Sequence, residues 1–119
     1  MKRFTIPLLA LLLAPPATAN PALIEAVEAR ASSNGWQFSV TLRHGDAGWD
    51  DYADGWRVLA PDGTVLGTRV LAHPHVNEQP FTRSLSGVVI PDSVEEVQIE
   101  ASTSPEGWSG KAQPFKLPR

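Results

Sequence analysis

The sequence has no cysteine in 119 residues. That removes a disulfide, a thiolate metal site, a cysteine nucleophile and a lipidated cysteine behind a leader from consideration. Basic residues are few: 10 Lys and Arg stand against 13 Asp and Glu, with no basic cluster. Nothing here forms a phosphate-binding face, so no nucleic-acid partner is expected. No apolar run reaches the ~20 residues that span a bilayer. There is no glycine-rich phosphate loop, and none of Ser84, Ser86 or Ser109 sits in a nucleophile-elbow context. A single small domain also rarely provides a substrate pocket. The chain is therefore expected not to be an enzyme.

What is present begins with an export pattern. MKR is basic, FTIPLLALLLA is apolar, and PPATA places Ala17 and Ala19 in a small-x-small arrangement. This is the order of a secretory signal, with cleavage expected after Ala19. Residues 20–119 then form one domain in the periplasm or outside the cell, with no stable membrane insertion. Loss of Lys2 and Arg3 leaves eight basic residues against 13 acidic ones, a net charge of −5. One hundred residues suffice for a two-layer core without staples.

Two-residue alternation runs through this domain. WQFSVTLR puts Trp36, Phe38, Val40 and Leu42 on one face and Gln37, Ser39, Thr41 and Arg43 on the other. ALIEAVEARAS alternates poorly, but the SSNG behind it is hairpin chemistry, so it reads as a strand. GWRVLAPDGTVLGTRVL reads as a hairpin turned at PDG. PFTRSLSG, VEEVQIEAS and GKAQPFKLP supply further strands, the last at an edge because of Pro114. Seven short strands with regular turns in ~100 residues predict an all-β, antiparallel sandwich.

WRVLAPDGTVL and GVVIPDSVEEVQIEAS resemble the third-strand turn and the approach to the sixth strand of the immunoglobulin-like and fibronectin type III-like superfamily. The resemblance spans the whole of residues 20–119. It lacks the immunoglobulin cysteine pair and the corner tyrosine, where Val94 and Val97 stand instead. It implies a seven-stranded sandwich and no particular activity. The chain is also similar to small exported bacterial proteins that share its WDDYAD and HPHVNEQPFTRSL stretches.

In that topology the connections 44–55, 73–79 and 103–110 share one end. They hold all three histidines, Asp46, Asp50, Asp51, Asp54, Glu78 and Glu106, together with Trp49, Tyr52 and Trp108. Loops on a rigid scaffold are where binding residues concentrate. His73 and His75 flank Pro74 and face the same way in extended backbone. With His44 and Glu78 they form a candidate site for Cu or Zn, since imidazole with carboxylate suits both ions. Histidines at strand ends also cap backbone groups or pack on aromatics. The four aspartates of DAGWDDYADG do not follow the calcium-loop spacing, and they suit local turn caps.

Trp49, Tyr52 and Trp108 are the candidate partner-binding residues of a metal-free protein-interaction domain. Against that stands a lid role: positions 49, 52, 53 and 56 have helical spacing, so one helical turn would bury Trp49. Trp36 and Trp56 belong to the core. Arg83 shares a face with Phe81 and Leu85, where it either snorkels or forms a structural ion pair with Asp50 or Asp54. The expectation is a monomeric, non-catalytic binding module using one loop end, with a transition-metal site and a protein-contact surface as the two readings.

Overall fold

A computed structural model describes residues 20–119. The expected signal segment, residues 1–19, lies outside the described residues. Eight strands follow in chain order: β1 (Leu23–Ser32), β2 (Gly35–Arg43), β3 (Tyr52–Leu59), β4 (Val65–Val70), β5 (Phe81–Val88), β6 (Glu96–Ser104), β7 (Gly107–Trp108) and β8 (Gln113–Lys116). All pairings are antiparallel. One sheet has the order β1-β2-β5. The other has the order β4-β3-β6-β7, with β8 also paired to β6.

The alternation of β2 sets the layering. Trp36, Phe38, Val40 and Leu42 are buried. The polar residues between them form cross-strand rungs on the outer face, with Ser39 Oγ 2.8 Å from Ser84 Oγ and Thr41 Oγ1 2.7 Å from Thr82 Oγ1. Trp56, Val58, Val97, Ile99 and Ala101 supply the facing layer from β3 and β6. Phe38 also meets Phe115 of β8 edge-on, at 6.2 Å between centroids. The β1–β2 turn lies tight against β5. A Cβ on Gly35 would come within 2.7 Å of the Val88 carbonyl oxygen, and its φ of 115° also suits only glycine.

Two local expectations are corrected. The expected loop 103–110 contains β7, so Trp108 lies in a strand opposite Ser102 and not in a loop, and the expected final strand is shortened to β8. The 49–56 stretch forms no helical turn, because Tyr52 already begins β3. The three-residue spacing of buried Ala53 and Trp56 arises from a register shift between Ala53 and Gly55. A β-bulge admits one extra residue, which here is Asp54, and returns the strand to the same face.

Candidate functional site

The loop end is organised by Asp46, whose side chain is fully buried. His44 and Asp46 stand two apart just past β2, in a tight turn closed by the Asp46 amide donating to the His44 carbonyl at 2.8 Å. Asp46 Oδ1 accepts from His44 Nδ1 at 2.7 Å and from the Ala53 amide at 2.9 Å. Its Oδ2 accepts from the His75 amide at 2.7 Å. One carboxylate thus fixes the end of β2, the start of β3 and the loop before β5. Gln79 adds a second tie: its Oε1 accepts from the His44 amide, and its Nε2 donates to the His75 carbonyl, each at 3.0 Å. Bonds to a charged acceptor are stronger than neutral ones, and buried amides need such partners.

The topology brings His44 and His75 to one end, where each ring has other contacts. His44 Nε2 lies 2.9 Å from the Asn20 carbonyl oxygen while Nδ1 faces Asp46. Both ring nitrogens of His44 are thus engaged by protein oxygens, and a metal would have to displace one of them. His75 stacks on Phe81 at 4.0 Å and 12°, while His73 lies against His75 at 4.7 Å and gives Nδ1 to the Pro74 carbonyl at 3.1 Å. Glu78 is engaged by Arg83. Among the described residues, no group of three or more histidines and carboxylates is arranged to hold an ion. The set His44, His73, His75 and Glu78 is not assembled.

Both ring nitrogens of His75 are buried without a hydrogen-bond partner. Burial pushes its pKa down, and the nearby charges of Arg83 and His73 push the same way, while Asp46 and Glu78 oppose them. A histidine whose folded pKa lies below its unfolded value favours the native state at higher pH. That contribution is complete above pH ~6.5 and is lost as pH falls towards the folded value. Stability should therefore fall on acidification below that point. A His75→Phe variant, which keeps the stacked ring, should show a smaller fall in melting temperature between pH 7 and pH 5. Equal slopes for both proteins would remove His75 as the source.

The aromatic residues divide into two places. Trp49 is 66% exposed, yet its ring sits edge-on against Tyr52 at 5.5 Å. Its loop is closed by the Ala47 amide donating to the Asp51 carbonyl at 2.9 Å. The lid expectation for Trp49 is thus overturned, because Asp46 draws Ala53 inward and leaves Trp49 on the outside of the turn. Trp108 lies on the outer face of the other sheet, with the Arg57 guanidinium 4.1 Å over its ring. Arg57 is in turn held by the buried Glu100, whose Oε1 accepts from it at 2.6 Å and whose Oε2 accepts from the Gly110 amide at 2.8 Å. Trp108 serves this packed cluster (a cation–π contact over an ion pair) and does not extend the Trp49–Tyr52 surface.

Arg83 faces inward opposite Val40, as its strand position implied. Its partner is Glu78 at 2.9 Å, not Asp50. The loop leading into β5 brings Glu78 back beside Arg83, whereas Asp50 lies on the outward turn with Trp49. The pair is open to solvent on the Glu78 side, so screening leaves it weak. Arg83→Ala should leave the melting temperature nearly unchanged, and a large drop would show that its contact with Phe81 matters more than the ion pair.

Comparison with known proteins gives one informative relative. A protein of Halomicrobium mukohataei named "Putative lipoprotein" is 41% identical over 76 residues, covering 64% of this chain and 37% of that protein. The chain thus spans little more than a third of the relative's length. No family model matches this chain, and no solved structure does.

Proposed function

We propose that this chain is a small exported, non-catalytic binding module that contacts a protein partner through Trp49, Tyr52 and the adjacent carboxylates of Asp50 and Asp51. The observation that carries the reading is Trp49: a large indole left two-thirds exposed on a turn whose base is pinned by a buried carboxylate. An exposed tryptophan on a rigid base loses little entropy on docking, which is what interface anchors need. Val76, 55% exposed, extends the apolar surface of the neighbouring loop. The sheet orders support a fibronectin type III-like sandwich, a scaffold that commonly presents end loops. Export is supported by the amino-terminal sequence pattern and by the name of the relative.

The absence of catalysis in this reading rests on where the His44–Asp46 dyad points. In a hydrolase triad the second ring nitrogen meets a hydroxyl nucleophile. Here it meets the Asn20 carbonyl. The alternative, a Cu or Zn site, would require one ring nitrogen of His44 to leave its protein partner, Asp46 or Asn20, and the metal-free reading requires no such change.

The test compares the purified protein with its Trp49→Ala variant by crosslinking in an envelope extract of the source organism. The expected result is a defined crosslinked partner that the variant loses at unchanged melting temperature. Identical crosslinks from both proteins would overturn the surface. Calorimetric titration with Cu²⁺ and Zn²⁺ separates the alternative: one-to-one binding that is lost in a His73→Ala, His75→Ala double variant would favour the metal site.

A further inference from the structure

The edges of the two sheets are not equally protected. A strand edge with unpaired amides and carbonyls recruits another strand unless it is short, interrupted by proline or covered. β4 and β5, at one side of the sandwich, flank each other: a Cβ on Gly67 of β4 would lie 3.0 Å from Leu85 of β5. On the other side, β7 and β8 are two and four residues long, and Pro114 lies within β8. β1 is different. It is ten residues long, contains no proline, and among the described residues pairs only with β2. One irregularity, at Ile24–Ala26, ends its regular stretch.

The pairing of β1 with β2 decides which of its backbone groups are free. Ser32 and Gly35 close the turn, and the register continues as Arg30↔Gln37 and Glu28↔Ser39. Antiparallel pairs alternate between bonded and non-bonded. On β2 the His44 amide points to the β5 side, and the close Ser39–Ser84 and Thr41–Thr82 hydroxyl contacts suit non-bonded pairs between β2 and β5. The odd-numbered residues of β2 therefore bond to β1, through its even-numbered ones. Val27, Ala29 and Ala31 present their amides and carbonyls outward.

We propose that two copies of this chain associate through β1, antiparallel about a two-fold axis at Ala29, to form one continuous sheet. In this register Ala29 opposes the partner's Ala29, and Val27 opposes the partner's Ala31. Every outward amide and carbonyl of that stretch is then paired. Glu28 falls opposite the partner's Arg30, and Arg30 opposite the partner's Glu28. Shifting the axis to Val27 or Ala31 gives neither ion pair. Glu28 has no ion-pair or hydrogen-bond partner among the described residues. Arg30 gives Nε and Nη2 to Gln37 Oε1, at 3.0 and 2.7 Å, which leaves Nη1 for the partner. The side chains at the axis are small and apolar, so two sheets can meet without a clash. The exposed loop end with Trp49 remains open in such a dimer, so this association is independent of the proposed partner surface.

Sedimentation equilibrium of the full protein from ~10 μM to ~1 mM would detect even a weak dimer. The expected result is a concentration-dependent monomer–dimer equilibrium that weakens with salt. Glu28→Arg and Arg30→Glu should each weaken it about tenfold, because both cross-strand pairs become like-charged. The double exchange should restore it. Ala29→Pro should abolish it, since the amide it removes does not serve β2; circular dichroism reports whether that variant keeps its fold. A wild-type protein that stays monomeric to ~1 mM, or a dimer indifferent to the single charge reversals, would overturn the proposal.

Discussion

An Asp46→Ala variant is expected to lose about 3–5 kcal/mol of unfolding free energy, the range for breaking a buried charged contact by removing one partner. Three donors depend on that carboxylate: the His44 ring and the amides of Ala53 and His75. Each buried donor left without an acceptor costs roughly 1–3 kcal/mol. At about 4–8 °C per kcal/mol for a domain of this size, the melting temperature should drop by more than 10 °C. Asp46→Asn keeps one acceptor oxygen but puts an amide hydrogen where another was, so an intermediate loss is expected. His44→Ala combined with Asp46→Ala should cost less than the two single losses together, because the residues share one network. Thermal unfolding of the parent, the three single variants and the double variant measures this. A loss below about 1 kcal/mol for Asp46→Ala would mean that water replaces the carboxylate and that the loops hold themselves.

The same carboxylate marks the limit of what the sequence discloses. The layering was legible because burial imposes a period of two, which WQFSVTLR keeps throughout and VEEVQIEAS keeps from Val97 onward. The clustering of the histidines was legible too, because strand reversal alone assigns loops to ends. Neither rule says what a side chain bonds to. Asp46 stood among several aspartates in one loop, and only its two-residue spacing from His44 distinguished it. Gln79, the second tie, carried no signal at all, since a neutral amide between His75 and Pro80 looks like any loop residue. Arg83 was correctly placed on the inner face, but its partner came from five residues away in the chain and not from across the sandwich. The helical spacing at 49–56 misled for a specific reason: a bulge at Asp54 converts a period of two into a step of three. A short window cannot separate those cases, because a single step of three occurs in both.

The tryptophans provide the sharpest contrast between fold and function. Trp56 has no exposure and faces the β2 layer, whereas Trp49 is mostly in solvent. Trp56→Ala should cost about 3–5 kcal/mol, combining lost apolar burial with the cavity left behind. Much of a small domain's total stability is of that size, so a partly unfolded variant is expected at 37 °C. Trp56→Phe should cost distinctly less. The indole Nε1 is buried without a hydrogen-bond partner, and the change removes that unpaired donor along with the ring volume. Trp49→Ala should stay within about 0.5 kcal/mol of the parent, as surface changes do. Urea unfolding of the three variants, with a check that the slope is unchanged, measures all of this. If Trp49→Ala proved as damaging as Trp56→Ala, the indole would be supporting the turn through Tyr52, and its exposure would not mark a contact site. If it proved silent, stability would offer no reason for a large apolar ring held outward beside two carboxylates, and recognition would remain as the physical account of it.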